Sequence, residues 1–475
     1  MSDHLETEDK YDVDDALVVP SLEGLVPGAT VTTTDVTLRS TYHDTADARL
    51  LGAAVTLRRR EGDDDQGWHL KVPAGGSRTE IRLPLEASSG DVPDRLLELT
   101  ASLRDDQPLQ TAAVIETRRT RHAVRDADGT LLVEVDDDRV HAGHADRVTI
   151  WREVEVELGA GDPRLLAEVG RRLRDAGARP SAESSKLGRV LASPRSEPPG
   201  EAAATLAGYL DEQVRALVAG DVALRRGQDP VHDTRVAARR IRSVLRVFGD
   251  LFDPDRAAQL DADLRWWAGL LGEERDAQVQ LARQRAAVAA LPPELVMGPV
   301  LARLEEDLRG TEARARQAVL EAMAGARYRS LVADLVAWRT DPPFAPDATG
   351  GVGTLRRGAR GAARKADHRL DRGLAADDDV LLHRARKAAK RARYAQEVVL
   401  AAGRDAQAKR RLKRAKRAQQ VLGDHQDAVV AAALLARLGA TAGRSGDNGF
   451  AFGVLWEREM ELARRLRDEA ADLRD

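Results

Sequence analysis

The chain contains no cysteine, and aromatic residues make up only 3% of its 475 positions. The first absence excludes disulfides, thiolate nucleophiles and cysteine-ligated zinc or iron–sulfur sites, and it agrees with a reducing compartment. The second argues against a surface built to stack bases. Long apolar runs are missing too: no stretch approaches the roughly 18 residues of a spanning helix, and the N-terminus is acidic rather than basic and apolar. A cytosolic protein with no membrane partner is therefore expected.

Charge is what the sequence has in abundance. With 32% charged and 43% apolar residues, the composition is that of a globular protein of two or three domains. The net charge of −4 hides an asymmetry. Residues 1–200 carry 26 Lys and Arg against 38 Asp and Glu, a balance of −12, whereas 201–475 carry 48 against 40, a balance of +8. An acidic half with interspersed cations suits metal ions together with an anion, and a basic half suits a larger polyanion.

Residues 1–192 read as about eight strands. Glu6-Thr7-Glu8-Asp9-Lys10 opens them, followed by Val31–Leu38, Ala53–Arg60, Gly67–Val72, Arg78–Leu85, Val114–Val124, Leu131–Val135 and Thr149–Leu158, with short helices after Pro93 and from Asp162-Pro163 to near Gly177. In a strand, residues i, i+2 and i+4 share a face. Glu6, Glu8 and Lys10 therefore point the same way, as do Arg58 with Arg60, His69 with Lys71, Arg78 with Glu80 and Arg82, and Arg119 with Arg121. Glu134, Asp136 and Asp138 form another such set, and Glu153, Glu155 and Glu157 a further one. For any single strand this is a solvated face. Taken together, the charged faces also fit a closed barrel with a charged interior.

The stretch Glu6–Lys10 resembles the ExExK motif of the CYTH superfamily, the triphosphate tunnel enzymes. Tyr42-His43-Asp44-Thr45 with Asp47 and Leu50, Leu57-Arg58-Arg59-Arg60, Gly67-Trp68-His69-Leu70-Lys71, Glu153-Val154-Glu155 and Ser185-Lys186 resemble that family's further motifs, in its order. The resemblance implies an eight-stranded antiparallel tunnel that takes a linear triphosphate with Mg2+ or Mn2+. It implies metal ligands at Glu6, Glu8, Glu153 and Glu155, and phosphate contacts from Lys10, Arg58, Arg60, Lys71 and Lys186, with Arg119, Arg121, Glu80 and Asp138 in a second rank. Glu6, Glu8 and Lys10 form the expected catalytic set. Hard oxygen ligands suit such cations, and arginine and lysine neutralise charge on a leaving phosphate. His43 and His69 are expected on a strand or rim rather than in the chemistry.

Residues 193–204 contain three prolines and read as a linker. From 205 to 475 the pattern becomes all-α, with turn clusters at Pro292-Pro293, 341–353 and 439–449. The sequence around His232, Arg235, Arg239 and Arg242 returns around His383, Arg386, Lys390 and Arg393 at an offset of 151, and Leu271-Gly272 with Asp276-Ala277 returns as Leu422-Gly423 with Asp427-Ala428 at the same offset. Halves of about 205–340 and 354–475 follow. On a helix His232, Arg235, Arg239, Arg242 and Arg246 lie on one stripe, with Ala237, Ile241, Val244 and Phe248 opposite as core. Between Arg384 and Arg417, 14 cations face only Glu397 and Asp405, and this run includes Lys413 and Arg414.

This half resembles the CHAD domain. One departure is Trp266-Trp267, where the second repeat has Arg417-Ala418. The resemblance implies paired four-helix bundles and binding of long-chain polyphosphate through the residues just named; scarce aromatics make nucleic acid the poorer match. An α+β, two-domain, metal-dependent triphosphatase is thus expected, with association to polyphosphate granules as a corollary. The alternatives are a non-catalytic polyphosphate binder, and adenylate cyclase or thiamine triphosphatase chemistry on the same tunnel. Sequence does not reach the oligomeric state.

Overall fold

The computed structural model describes residues 2–474 apart from 64, 88–89, 146 and 192–196. The chain divides into two compact units. One comprises Met1–Arg195, Val214–Gln228 and Leu335–Thr340, and the other Ser196–Gln213, Asp229–Asp334 and Asp341–Asp475. The architecture is α+β, an antiparallel sheet followed by a helical region.

The sheet comprises β1 (Ser2–Glu6), β2 (Glu8–Val13), β3 (Thr30–Asp44), β4 (Thr56–Glu61), β5 (Gly67–Ala74), β6 (Ser77–Leu83), β7 (Gln110–Arg125), β8 (Leu131–His144), β9 (Arg147–Leu158) and β10 (Arg179–Pro180). Their order is β1-β6-β5-β4-β3-β7-β8-β9-β2-β10. Among the described residues ten strands stand where eight were expected, for two reasons. The opening segment changes partner at Thr7, pairing with β6 through Glu6 and with β9 from Glu8 onward, and the two-residue β10 adds to β2. Thr7 thereby joins covalently the two far parts of the strand order; its carbonyl accepts from Leu158 N and its hydroxyl meets Ser77 Oγ at 2.9 Å.

Alternation explains what each face does. Val133, Val135, Val154 and Val156 are buried on the side covered by the Arg164–Asp175 helix, with Tyr11, Val169 and Leu173. Their neighbours Glu134, Asp136, Glu155 and Glu157 lie on the opposite face. Asp162 accepts from Arg164 N at 2.8 Å and starts that helix. A second apolar cluster, Tyr42, Ile115, Val140 and Leu187, seats the Lys186–Leu191 helix.

Of the expected linker, 193–196 lie outside the described residues, and a helix from Glu201 to Arg225 begins within the rest. The helical unit contains Val231–Val247, Pro254–Ala289, Val300–Ala324, Val352–Ala375, Asp379–Ala401, Ala406–Arg444 and Phe450–Ala471. Asp253, Asp378 and Asp405 cap three of them by accepting from Arg256 N, Val380 N and Ala408 N. Ala237, Ile241, Val244 and Phe248 are buried. The expected turn at Gly439 is instead helical: a Cβ there would lie 3.1 Å from Phe452 Cβ, so this glycine serves close helix packing. Chain reversal waits for Gly446, at φ +79°. Among the described residues no helix is long and apolar enough to cross a membrane.

Candidate active site and a cationic helix face

The charged faces of the strands surround one cavity of about 230 Å3. Glu6, Glu8, Lys10, Arg58, Arg60, Lys71, Arg119, Arg121, Glu155 and Lys186 all line it, so ten expected site residues converge from six strands and one helix start. Arg78, Arg82, Asp65, Glu134, Glu157 and Tyr42 line it as well. Among the described lining residues only Tyr42 is aromatic. It meets Arg58 at 3.4 Å; burial would raise its pKa, but Arg58 and Lys186 outweigh that and lower it.

The carboxylates expected to act together are not all gathered in one group. Glu6 faces Lys71 at 2.6 Å and Glu8 faces Lys10 at 3.5 Å. Glu153 is buried off the cavity wall, where it accepts from Trp151 Nε1 at 2.7 Å. Asp138 takes a place beside Glu153 and Glu155: their oxygens lie within 4.8 Å of one another. Cross-strand register brings this about, since Asp138 pairs with Glu153 and Asp136 with Glu155. Sequence parity alone shows which residues share a strand face, not which strands are neighbours.

Lys186 occupies the centre of this trio. Its Nζ is 2.9 Å from Asp138, 2.7 Å from Glu153 and 2.8 Å from Glu155. Burial would lower its pKa, but Asp138, Glu153 and Glu155 raise it well above the ordinary lysine value. Arg119 grips Asp138 through two bonds of 2.7 Å, reaches Glu155 at 2.9 Å and also pairs with Asp136. Lys10 pairs with Glu155. Burial would raise the pKa of Glu155, yet Lys10, Lys186 and Arg119 hold it well below the usual range. Three buried, hard oxygen donors already shaped around one cationic centre are a donor set that suits Mg2+ or Mn2+.

Three further acids of this sheet are raised above the ordinary carboxyl value. Burial, then Glu6, pushes Glu157 up to about 7, and burial pushes Asp136 up to about 7. Glu6 is raised by burial despite Lys71.

In the helical unit, the stripes on Val231–Val247 and Asp379–Ala401 meet. Lys390 is pushed down to about 7 by burial, then by Arg386, Arg239 and Arg235. Lys387 and Arg391 are likewise lowered by burial with cationic neighbours that include Arg242. The stripe is acid-free only along its own helix. Arg235 donates to Asp276 at 3.0 Å and to the Gly272 carbonyl at 3.4 Å, and Arg386 reaches Asp427 at 3.5 Å. The repeated Leu-Gly-x-x-x-Asp segments thus receive the arginine three residues after each repeat's histidine. Arg242 pairs with Asp261 at 3.0 Å and Arg393 with Glu397 at 3.0 Å. Arg239 and His383 are half-buried, and burial with Lys387 and Arg386 lowers the His383 pKa. His232 and Lys413 are exposed, as is Arg414, which donates to the Leu473 carbonyl at 3.2 Å.

Residues 5–187 match the CYTH domain and 208–436 the CHAD domain. Uncharacterized protein Rv2226 of Mycobacterium tuberculosis is 37% identical over 98% of this chain and 95% of its own length. This chain belongs to the CYTH–CHAD proteins. Among solved structures similar to this CYTH–CHAD protein are PptA from Streptomyces chartreusis (26% identity, TM-score 0.49, 57% of this chain and 98% of that one) and the CHAD domain from the plant Ricinus communis (26% identity, TM-score 0.47, 59% and 94%).

Proposed function

We propose that the sheet of this CYTH–CHAD protein forms a closed tunnel that hydrolyses inorganic triphosphate with Mg2+ or Mn2+, and that its helical region is a duplicated pair of bundles binding long-chain polyphosphate. The observation that carries the first part is a small cavity lined, among the described residues, by nine cations and six carboxylates, with a cation-shaped oxygen trio at one side. At about 230 Å3 it falls below the roughly 300 Å3 where pockets for drug-sized ligands begin. A short polyanion fits such a volume better than a whole nucleotide.

In this reading Asp138, Glu153 and Glu155 would hold the metal, with Glu6 and Glu8 on the neighbouring wall. A divalent cation held there would supply Lewis-acid polarisation of phosphate oxygens. Arg58, Arg60, Lys71, Arg119 and Arg121 grip the chain, and arginine can do so with paired hydrogen bonds. As the terminal bond breaks, charge accumulates on the leaving pyrophosphate, and Lys10 and Lys186 neutralise it. Attack comes from water oriented by the carboxylates; no covalent intermediate is invoked.

The polyphosphate reading rests on the crowding of Arg235, Arg239, Arg386 and Lys390; burial first and then these cations lower the Lys390 pKa, and a polyanion would relieve the crowding. Residues 193–204 would then connect the two functions.

The test is phosphate release from tripolyphosphate, ATP and long-chain polyphosphate by the full chain, with Mg2+, Mn2+ or a chelator. Metal-dependent release from tripolyphosphate is expected, reduced ~100-fold or more in Glu6→Ala and Glu155→Ala, the scale set by loss of one preorganised charge partner. Tight polyphosphate binding without release from any substrate would leave a binding protein instead.

A further inference from the structure

Behind the cationic wall of the cavity lies a pair that the triphosphate reading does not use. His69 and Glu80 are both buried, and neither lines the cavity. His69 Nδ1 is 2.7 Å from Glu80 Oε1, and Nε2 is 3.0 Å from the Asp65 backbone carbonyl oxygen. Both ring nitrogens face oxygens, and burial lowers the His69 pKa despite the Glu80 bond, so the ring carries one N–H, which the shorter contact to the Glu80 carboxylate places on Nδ1.

Glu80 also receives Arg58 at 3.5 Å, Lys71 at 3.6 Å and Arg82. All three of those cations line the cavity. Burial would raise the Glu80 pKa, but the His69 bond, Lys71 and Arg58 outweigh it and hold the carboxylate well below its usual range. The Asp65 side chain braces the same wall, meeting Arg60 at 3.0 Å and Arg82 at 2.6 Å.

Asp65, His69 and Glu80 also have the spacing of a metal trio. The contacts argue against that use. Nδ1 faces a carboxylate and Nε2 a backbone carbonyl, so both nitrogens are taken up by protein oxygens, and both carboxylates already carry arginine.

A carboxylate shared by three cations has several possible orientations, each giving a different spacing of positive charge. A fixed donor behind it selects one. We propose that His69 is a positioning residue: donating through Nδ1 to Glu80, it sets Glu80 and thereby the spacing of Arg58, Lys71 and Arg82 around a bound triphosphate. This rests on the tunnel reading above. Total charge on the wall does not depend on His69 reaching the cavity, so ground-state attraction survives its loss, whereas alignment with charge that develops during reaction does not.

The experiment compares His69→Asn, whose side-chain amide can replace the Nδ1 donor, with His69→Leu, which has none, in the full chain. Steady-state kinetics with tripolyphosphate and melting temperatures with and without tripolyphosphate are measured. His69→Leu should lose about tenfold or more in kcat with KM changed by less than about threefold, and His69→Asn should recover to within about threefold of the parent. Equal impairment of the two variants, or a His69→Leu kcat within twofold of the parent, overturns the proposal. Should the parent release no phosphate, the hydrolytic reading fails separately, and positioning is read from the tripolyphosphate-induced rise in melting temperature. That rise must then shrink in His69→Leu and return in His69→Asn; a parental rise in His69→Leu, or none in the parent, overturns the proposal as well.

Discussion

At the scale of single residues, Lys186 decides how three carboxylates can be buried together. Asp138 and Glu153 are almost wholly enclosed, and an unpaired buried charge is costly. Lys186→Met should therefore destabilise the protein by about 3–5 kcal/mol in a chelator, the range for breaking a buried ion pair. Added Mn2+ should raise the melting temperature of the variant more than that of the parent, because binding to the folded state stabilises by mass action. Equal responses would show that the trio is not a metal site. Glu157 carries a second consequence. Its folded pKa of about 7 lies above that of an unfolded glutamate, so its contribution to stability is present below pH ~4.5 and lost as pH rises toward 7. The urea midpoint should fall across that window without metal, and Glu157→Gln, which stays neutral, should flatten the fall.

At the scale of elements, the Arg164–Asp175 helix sits on β2 through Gly170. A Cβ at Gly170 would collide with the buried Tyr11 hydroxyl, next to Lys10 of the cavity. Gly170→Ala should cost about 1–3 kcal/mol, as overpacking does, despite the better helix propensity of alanine. A denaturant midpoint no lower than the parent's would contradict this packing. Strand faces were legible because period-two alternation is local: Glu134, Asp136, Glu155 and Glu157 are opposite Val133, Val135, Val154 and Val156 in the sequence itself. What that alternation does not reveal is adjacency between strands. Asp138 stood in a second rank because its partners Glu153 and Lys186 come from other elements; His69 lies on a strand, as expected, but its contact with Glu80 was not visible because Glu80 lies on β6. The helical region shows the same limit. Arg235 and Arg386 stand on a visibly basic stripe, but Asp276 and Asp427, which receive them, lie 41 residues further along the chain. Gly439 was misread because a glycine at a helix contact and a glycine in a turn look alike without the facing Phe452.

At the scale of the whole molecule, a net charge of −4 opposes binding of a polyanion, so attraction must come from the local crowding of cations on the two basic helices. Crowding has a protonic signature. Lys390, with a folded pKa near 7, is largely uncharged at pH 8, although an unfolded lysine would hold its proton there. Its depressed pKa costs stability below about pH 7, and the cost fades as pH rises toward the unfolded value. A polyphosphate chain laid across Arg235, Arg239 and Arg386 supplies negative charge that favours the ammonium form, so binding at pH 8 should draw in a proton. Isothermal titration of long-chain polyphosphate in buffers of different ionisation enthalpy reads this directly: an uptake of up to about one proton per site is expected. Lys390→Met should abolish the uptake while retaining most of the affinity, because the three arginines stay charged. Affinity should fall with added salt for parent and variant alike, since screening acts on every exposed cation. A parent that binds polyphosphate with no dependence on buffer would place the chain elsewhere on the basic surface, away from Lys390.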